Sequence, residues 1–129
     1  MKTSQALSGF LLAAGMGNAA QAVNLESGVV FGGPGQTHVA CLLVNSGNAP
    51  VTLLTRQLVG QFSGVLKPTY DDCGKTLEPN RICSFQVPTA TNESASCKVV
   101  IRQDTKDVRG TMMSLGDPVD APLSQSDLR

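Results

Sequence analysis

The stretch "HVACLLVNSGNAPVTLLTRQLVG", residues 38–60, decides how this chain is read. Two apolar runs, 38–45 and 51–60, flank the break Ser46-Gly47-Asn48-Ala49-Pro50. Their Val, Leu and Thr content and the turn chemistry between them read as two short strands. Cys41 sits inside the first run, so it is a reagent, a metal ligand or a covalent staple. The rest of the chain favours the staple.

Working outward, four further runs have the same character: 27–31, 81–88, 96–103 and 107–115. Gly, Pro, Asn, Asp and Ser cluster between them, as in "GGPGQ", "LEPN" and "TATNES". Period two is clear in 96–102, where Cys97, Val99 and Ile101 alternate with Ser96, Lys98 and Arg102. In 81–87, Cys83, Phe85 and Val87 oppose Arg81, Ser84 and Gln86, and Ile82 falls on the polar side. The tetrapeptide "DTKD" (104–107) reads as a hairpin turn, which makes 96–103 and 107–115 antiparallel neighbours. The loop 63–76 either holds a short strand around Val65–Leu66 or crosses between sheets. No segment after residue 22 sustains a helical period. The expected fold is all-β, an antiparallel sandwich of six to eight short strands, with a small barrel as the second choice.

The first 22 residues, "MKTSQALSGFLLAAGMGNAAQA", combine Lys2, an uncharged apolar run from Ala6 to Met16 and a small-x-small site at Ala20-Gln21-Ala22. This is the pattern of a secretory signal peptide, with cleavage expected after Ala22. The apolar run is shorter than the roughly 20 residues a spanning helix needs. Cleavage leaves 107 residues, so the expected organisation is a signal peptide 1–22, one domain 23–116 and a flexible tail 117–129. Pro118 and Pro122 argue against a last strand in that tail. Nine Lys+Arg against ten Asp+Glu remain, scattered with both signs interleaved. Such a chain lacks the basic patch of a nucleic-acid or anionic-membrane binder. No membrane span is expected after residue 22.

Cys41, Cys73, Cys83 and Cys97 are even in number and lie in a short chain with an export signal, so two disulfides are expected. Cys41 and Cys97 each lie mid-strand on an apolar face, one early and one late. A bridge between them is what an immunoglobulin-like sandwich uses to join its sheets. Cys73 and Cys83 then clip a loop to a strand start. The alternative, Cys41–Cys73 with Cys83–Cys97, stays open at this point. Cross-links matter here because the chain has no Trp, one Tyr and four Phe, Phe10 among them. In the chain-entropy model a bridge closing about 57 residues contributes about 4 kcal/mol, and one closing about 11 contributes about 2.8 kcal/mol. Whole-domain stabilities are about 5–15 kcal/mol.

The closest cysteines are ten positions apart, unlike the two-to-four-residue pairs of thiolate zinc sites, so no metal is expected there. His38 lies on the face opposite Cys41 and reads as a residue at a strand start, not as its general base. Asp71, Asp72 and Glu78 cluster in "YDDCGKTLE" without the order of a calcium loop and read as a solvated acidic loop. "FGGPGQ" (31–36) has no following Lys or helix and reads as a turn, not a phosphate cradle. Asn92-Glu93-Ser94 is a formal glycosylation sequon. Of Met112 and Met113, alternation sends one outward. No catalytic, cofactor-binding or metal-binding set emerges.

The residues Ala40-Cys41, Val44-Asn45, Cys97-Lys98-Val99 and Val108-Arg109-Gly110 resemble the pattern of small exported bacterial proteins, mostly of uncharacterised function. The resemblance covers about 36–115 and implies an immunoglobulin-like sandwich behind a signal peptide, with no catalytic residues. Chaperone-assembled pilus subunits share an export signal and a bridged sandwich. This chain departs from them in lacking a penultimate Tyr, a strongly alternating last strand and a clear N-terminal donor segment. The expectation is a non-enzymatic binding or structural domain of the periplasm or the medium, without cofactor, acting on a protein or cell-envelope partner. The second expectation is a fimbria-like subunit or adhesin working by strand addition.

Overall fold

The computed structural model describes residues 21–89, 92–103, 105–117 and 122–129. The expected signal peptide therefore lies almost wholly outside the described residues. Ten strands follow in chain order: β1 Val23–Glu26, β2 His38–Asn45, β3 Val51–Gly60, β4 Gly64–Leu66, β5 Tyr70–Asp71, β6 Thr76–Leu77, β7 Arg81–Pro88, β8 Ala95–Ile101, β9 Val108–Leu115 and β10 Pro122–Leu128. A 3-10 turn occupies Gly33–Gly35. Every strand pair is antiparallel. One sheet runs β1-β8-β3-β4, with β6 also on β3; the other runs β10-β9-β2-β7-β5. The protein is all-β, built of two antiparallel sheets around one core. No helix among the described residues is long and apolar enough to cross a membrane.

Alternation makes that core. Val39, Cys41, Leu43 and Asn45 of β2, Cys83, Phe85 and Val87 of β7, and Cys97, Val99 and Ile101 of β8 all point inward and are buried. Ile82, on the other side of β7, is 68% exposed. The strand β3 shows how a sequence can change phase. Val51 and Leu53 are buried at odd positions, Leu58 and Gly60 at even ones. The pairing with β8 slips between Leu53 and Thr55, leaving Leu54 as the extra residue of a bulge. One bulge thus lets both ends of a ten-residue strand face the same core.

The break 46–50 is an arch between sheets, since β2 and β3 belong to different ones. Asn45, fully buried, holds it: Nδ2 donates to the carbonyls of Ala49 and Leu77, and Oδ1 accepts from the Gly47 amide. A buried amide is tolerated where its hydrogen-bonding capacity is used.

Four expectations from the sequence change. "DTKD" does not close a hairpin, because β8 has both edges filled by β1 and β3, and β9 by β2 and β10; β8 and β9 belong to different sheets. Residues 27–31 are not a regular strand. The strand comes earlier, at 23–26, and only Ser27 and Val30 form isolated bridges, to Leu128 and Ala95. The loop 63–76 does both things considered for it, placing β4 in one sheet and β5 in the other. The C-terminal segment is not a free tail over 122–128: it pairs with β9, and Leu128 reaches the core at 4% exposure. Pro122 opens that strand, where a missing N–H costs least. Val119 lies outside the described residues.

Along one side the two sheets meet. Beyond the Ser27–Leu128 bridge, Glu26 and Arg129 exchange both backbone hydrogen bonds, at 3.1 and 3.2 Å. The opposite side carries only the short strands β4, β5 and β6.

Candidate functional site

The four cysteines form two disulfides, Cys41–Cys97 with Cα atoms 6.2 Å apart and Cys73–Cys83 at 4.9 Å. The first joins β2 of one sheet to β8 of the other through the centre of the core. The second ties the loop after β5 to β7. No cysteine is left free, so none is a thiolate. Asp72 brings a carboxylate oxygen within 4.8 Å of the Cys73 and Cys83 sulfurs, but both sulfurs are in the bridge.

The acidic loop is occupied by its own chain. Arg56 donates from Nε and Nη2 to Asp71 Oδ2, at 3.2 and 2.8 Å, and from Nη1 to the Gly74 carbonyl. Asp71 Oδ1 accepts from the Cys73 amide. Asp72 accepts from the Ser84 amide and from the Tyr70 hydroxyl. That hydrogen bond to Asp72, followed by the carboxylate's charge, raises the Tyr70 phenol above its ordinary value. Glu78 is exposed on the turn before β7. His38 is half-buried at the start of β2, with Nδ1 3.0 Å from Thr37 Oγ1. Met112 is buried and Met113 half-buried on the outer side of β9. Asn92 is exposed in a left-handed conformation, φ +65°.

A second polar cluster, unseen from sequence, lies buried at one end of the sheets. Gln36, which follows the glycine-rich turn, is fully buried and uses every polar atom. Its Oε1 accepts from the Gly32 amide and the Ser114 hydroxyl; its Nε2 donates to Thr89 Oγ1 and the Glu93 carbonyl. Glu93, 1% exposed, points its Oε1 at the Phe62 and Ser63 amides, at 3.3 and 2.9 Å. It thereby holds the turn between β3 and β4. Gly60 makes room: a Cβ there would lie 2.2 Å from Glu93 Oε1. Gly64 completes the turn with φ +64°, a conformation that favours glycine.

What this cluster holds in place is apolar. Phe62, at the tip of the held turn, is 77% exposed, and Val65 on β4 is 66% exposed. Across the neighbouring strands, the Val30–Ala95 bridge fixes Val29 and Phe31 outward at 69% and 52%. Val59 pairs with Val65 on one side and Ser96 on the other, and a depression of about 330 Å³ runs over Val29, Val59, Ala95 and Ser96. The contributing segments 27–37 and 57–66 hold no charged residue. The nearby Glu93 is buried. The result is a rigid, uncharged, partly aromatic surface, such as marks interaction sites. A larger depression, about 550 Å³, lies at Arg109, Thr111, Asp127 and Arg129.

Sequence reasoning found the cysteines but not Gln36, Glu93 or the apolar end. The signal was present in part: residues 27–37 and 57–66 each carry a Phe and no charged residue. Comparison of the chain with family models, with curated proteins and with solved structures found no match.

Proposed function

We propose that this chain is an exported, non-enzymatic binding or structural domain with an immunoglobulin-like sandwich, freed from a signal peptide 1–22. Its uncharged end docks a protein or cell-envelope partner in the periplasm or the medium. One observation carries this reading. The chain has only three Phe after residue 22, and it spends Phe31 and Phe62 on the surface and Phe85 alone on the core. Folding energetics would bury them, since a fully buried Phe is worth about 1.5–3 kcal/mol over an exposed one. The two disulfides fit an oxidising compartment. A held loop also lowers the ordering cost of binding.

The test is a photo-crosslinking residue at position 62, compared with one at Lys106, exposed just before β9, in the cells that export the protein. A partner captured at 62, and lost on Phe31→Ser, is expected. Equal capture at both positions, or turnover of ester, peptide or glycoside substrates by the purified protein that a point mutant abolishes, overturns the reading. N-terminal sequencing of exported product should begin at Val23.

A second reading, a fimbria-like subunit or adhesin acting by strand addition, is favoured by one feature. The eight-residue edge of β7 is covered only by the two-residue β5. Concentration-dependent assembly that changes in 23–31 block would support it, and a monomer under all conditions would exclude it.

A further inference from the structure

Residues 69–72 lie along the outer edge of β7 as a strap. The amides of Thr69 and Asp72 donate to the carbonyls of Gln86 and Ser84, each at 3.0 Å, and the Ser84 amide donates back to the Asp72 side chain. Both β5 residues are exposed, so almost no apolar burial holds them. The strap is held instead by three side-chain devices. These are the Arg56–Asp71 ion pair from the other sheet, the Asp72 carboxylate, and the Cys73–Cys83 disulfide one residue beyond. An exposed ion pair is worth about 0–1 kcal/mol, so the covalent link dominates.

The two disulfides differ in how a reductant reaches them. Cys41 and Cys97 sit in strands paired on both edges, and reaching them requires opening a sheet. Cys73 lies in irregular chain between two two-residue strands, where opening is local.

We infer that the Cys73–Cys83 bridge is a redox lock on a latent strand edge, and that its reduction frees the β7 edge to pair with the β7 edge of a second copy of this chain. The inference rests on the strand-addition reading. The chemistry is thiol–disulfide exchange with an exported dithiol reductant: the Cys73–Cys83 S–S bond breaks, and two S–H bonds form. The reductant supplies two electrons and two protons and leaves as its own disulfide. The strap then keeps only its weak contacts. The uncovered edge presents the N–H groups of Ile82, Ser84 and Gln86, which by strand alternation point toward β5. A second copy suits this edge because residues 82–88, "ICSFQVP", carry no charge. A two-fold antiparallel pairing sets each edge against itself, and like charges facing each other would oppose it. Natural edges of this length are normally blocked by charge, Pro or cover; β5 is the cover.

The experiment uses the whole domain, as wild type and as Cys73→Ser with Cys83→Ser. Oxidised wild type should be monomeric, with the Ser84 amide slow to exchange. In the double variant, at concentrations low enough to keep it monomeric, the amides of Ser84 and Gln86 should exchange at least about tenfold faster while those of Val99 and Ile101 do not change. Sedimentation should show concentration-dependent dimers, abolished by adding Ser84→Pro, which removes an edge donor. In wild type titrated with a dithiol, alkylation should label Cys73 and Cys83 before Cys41 or Cys97. Three results overturn the lock: unchanged exchange of the Ser84 and Gln86 amides in the monomeric double variant, unfolding of the double variant, or simultaneous labelling of all four cysteines. Faster exchange with a monomer at all concentrations overturns the second-copy occupant; if oxidised wild type also assembles by strand addition elsewhere, that reading survives without the lock.

Discussion

Tyr70 is the sole tyrosine in a chain without tryptophan, so a single phenol can be titrated by its own absorbance. Its hydrogen bond to Asp72 favours the neutral form, and the folded value lies above the ordinary one of about 10. The sign follows. This contact stabilises the fold below about pH 10, and the contribution is lost as pH rises through the raised value. Absorbance titration should find a midpoint above that of the unfolded chain, and Asp72→Asn should lower it. Two other side chains carry structural predictions. Phe85→Ala removes the one buried aromatic and should cost about 3–5 kcal/mol in denaturant unfolding. Glu93→Ala leaves the Phe62 and Ser63 amides without their acceptor and should cost about 1–3 kcal/mol. Exchange at those two amides should rise with it.

At the scale of elements, what could be read from the chain follows from period. The strands β2, β3 and β7 end where the apolar runs end, because turn residues bound them on both sides. The pairing of Cys41 with Cys97 was legible for the same reason: both cysteines share a face with Val, Leu or Ile. Partnership between strands was not. "DTKD" has hairpin chemistry, but which strand lies beside β8 depends on what else competes for its edges. β10 was missed because "PLSQSDL" has little alternation, and its pairing rests on backbone groups and on Leu128. Gln36 and Glu93 were beyond reach, since a buried polar residue looks like a loop residue until its distant partners, three of them 53 to 78 positions away for Gln36, are in place. The central bridge gives an element-scale prediction. Cys41→Ala with Cys97→Ala should lower stability by up to about 4 kcal/mol, with an intact Cys73–Cys83 bond by mass mapping.

For the whole molecule, the proposed docking function and stability are separable by place. Phe62 protrudes from a turn and contributes little to the core, so Phe62→Ser should change unfolding free energy by no more than about 0.5 kcal/mol while reducing partner capture. Phe85→Ala should do the reverse per folded molecule.

The meeting of Glu26–Ser27 with Leu128–Arg129 gives the molecule a spine, and Arg56–Asp71 with Cys73–Cys83 gives it a clasp on the fore-edge. Thermal breathing should therefore swing about the spine, letting solvent in past β4 and β5 long before it reaches β1 or β10.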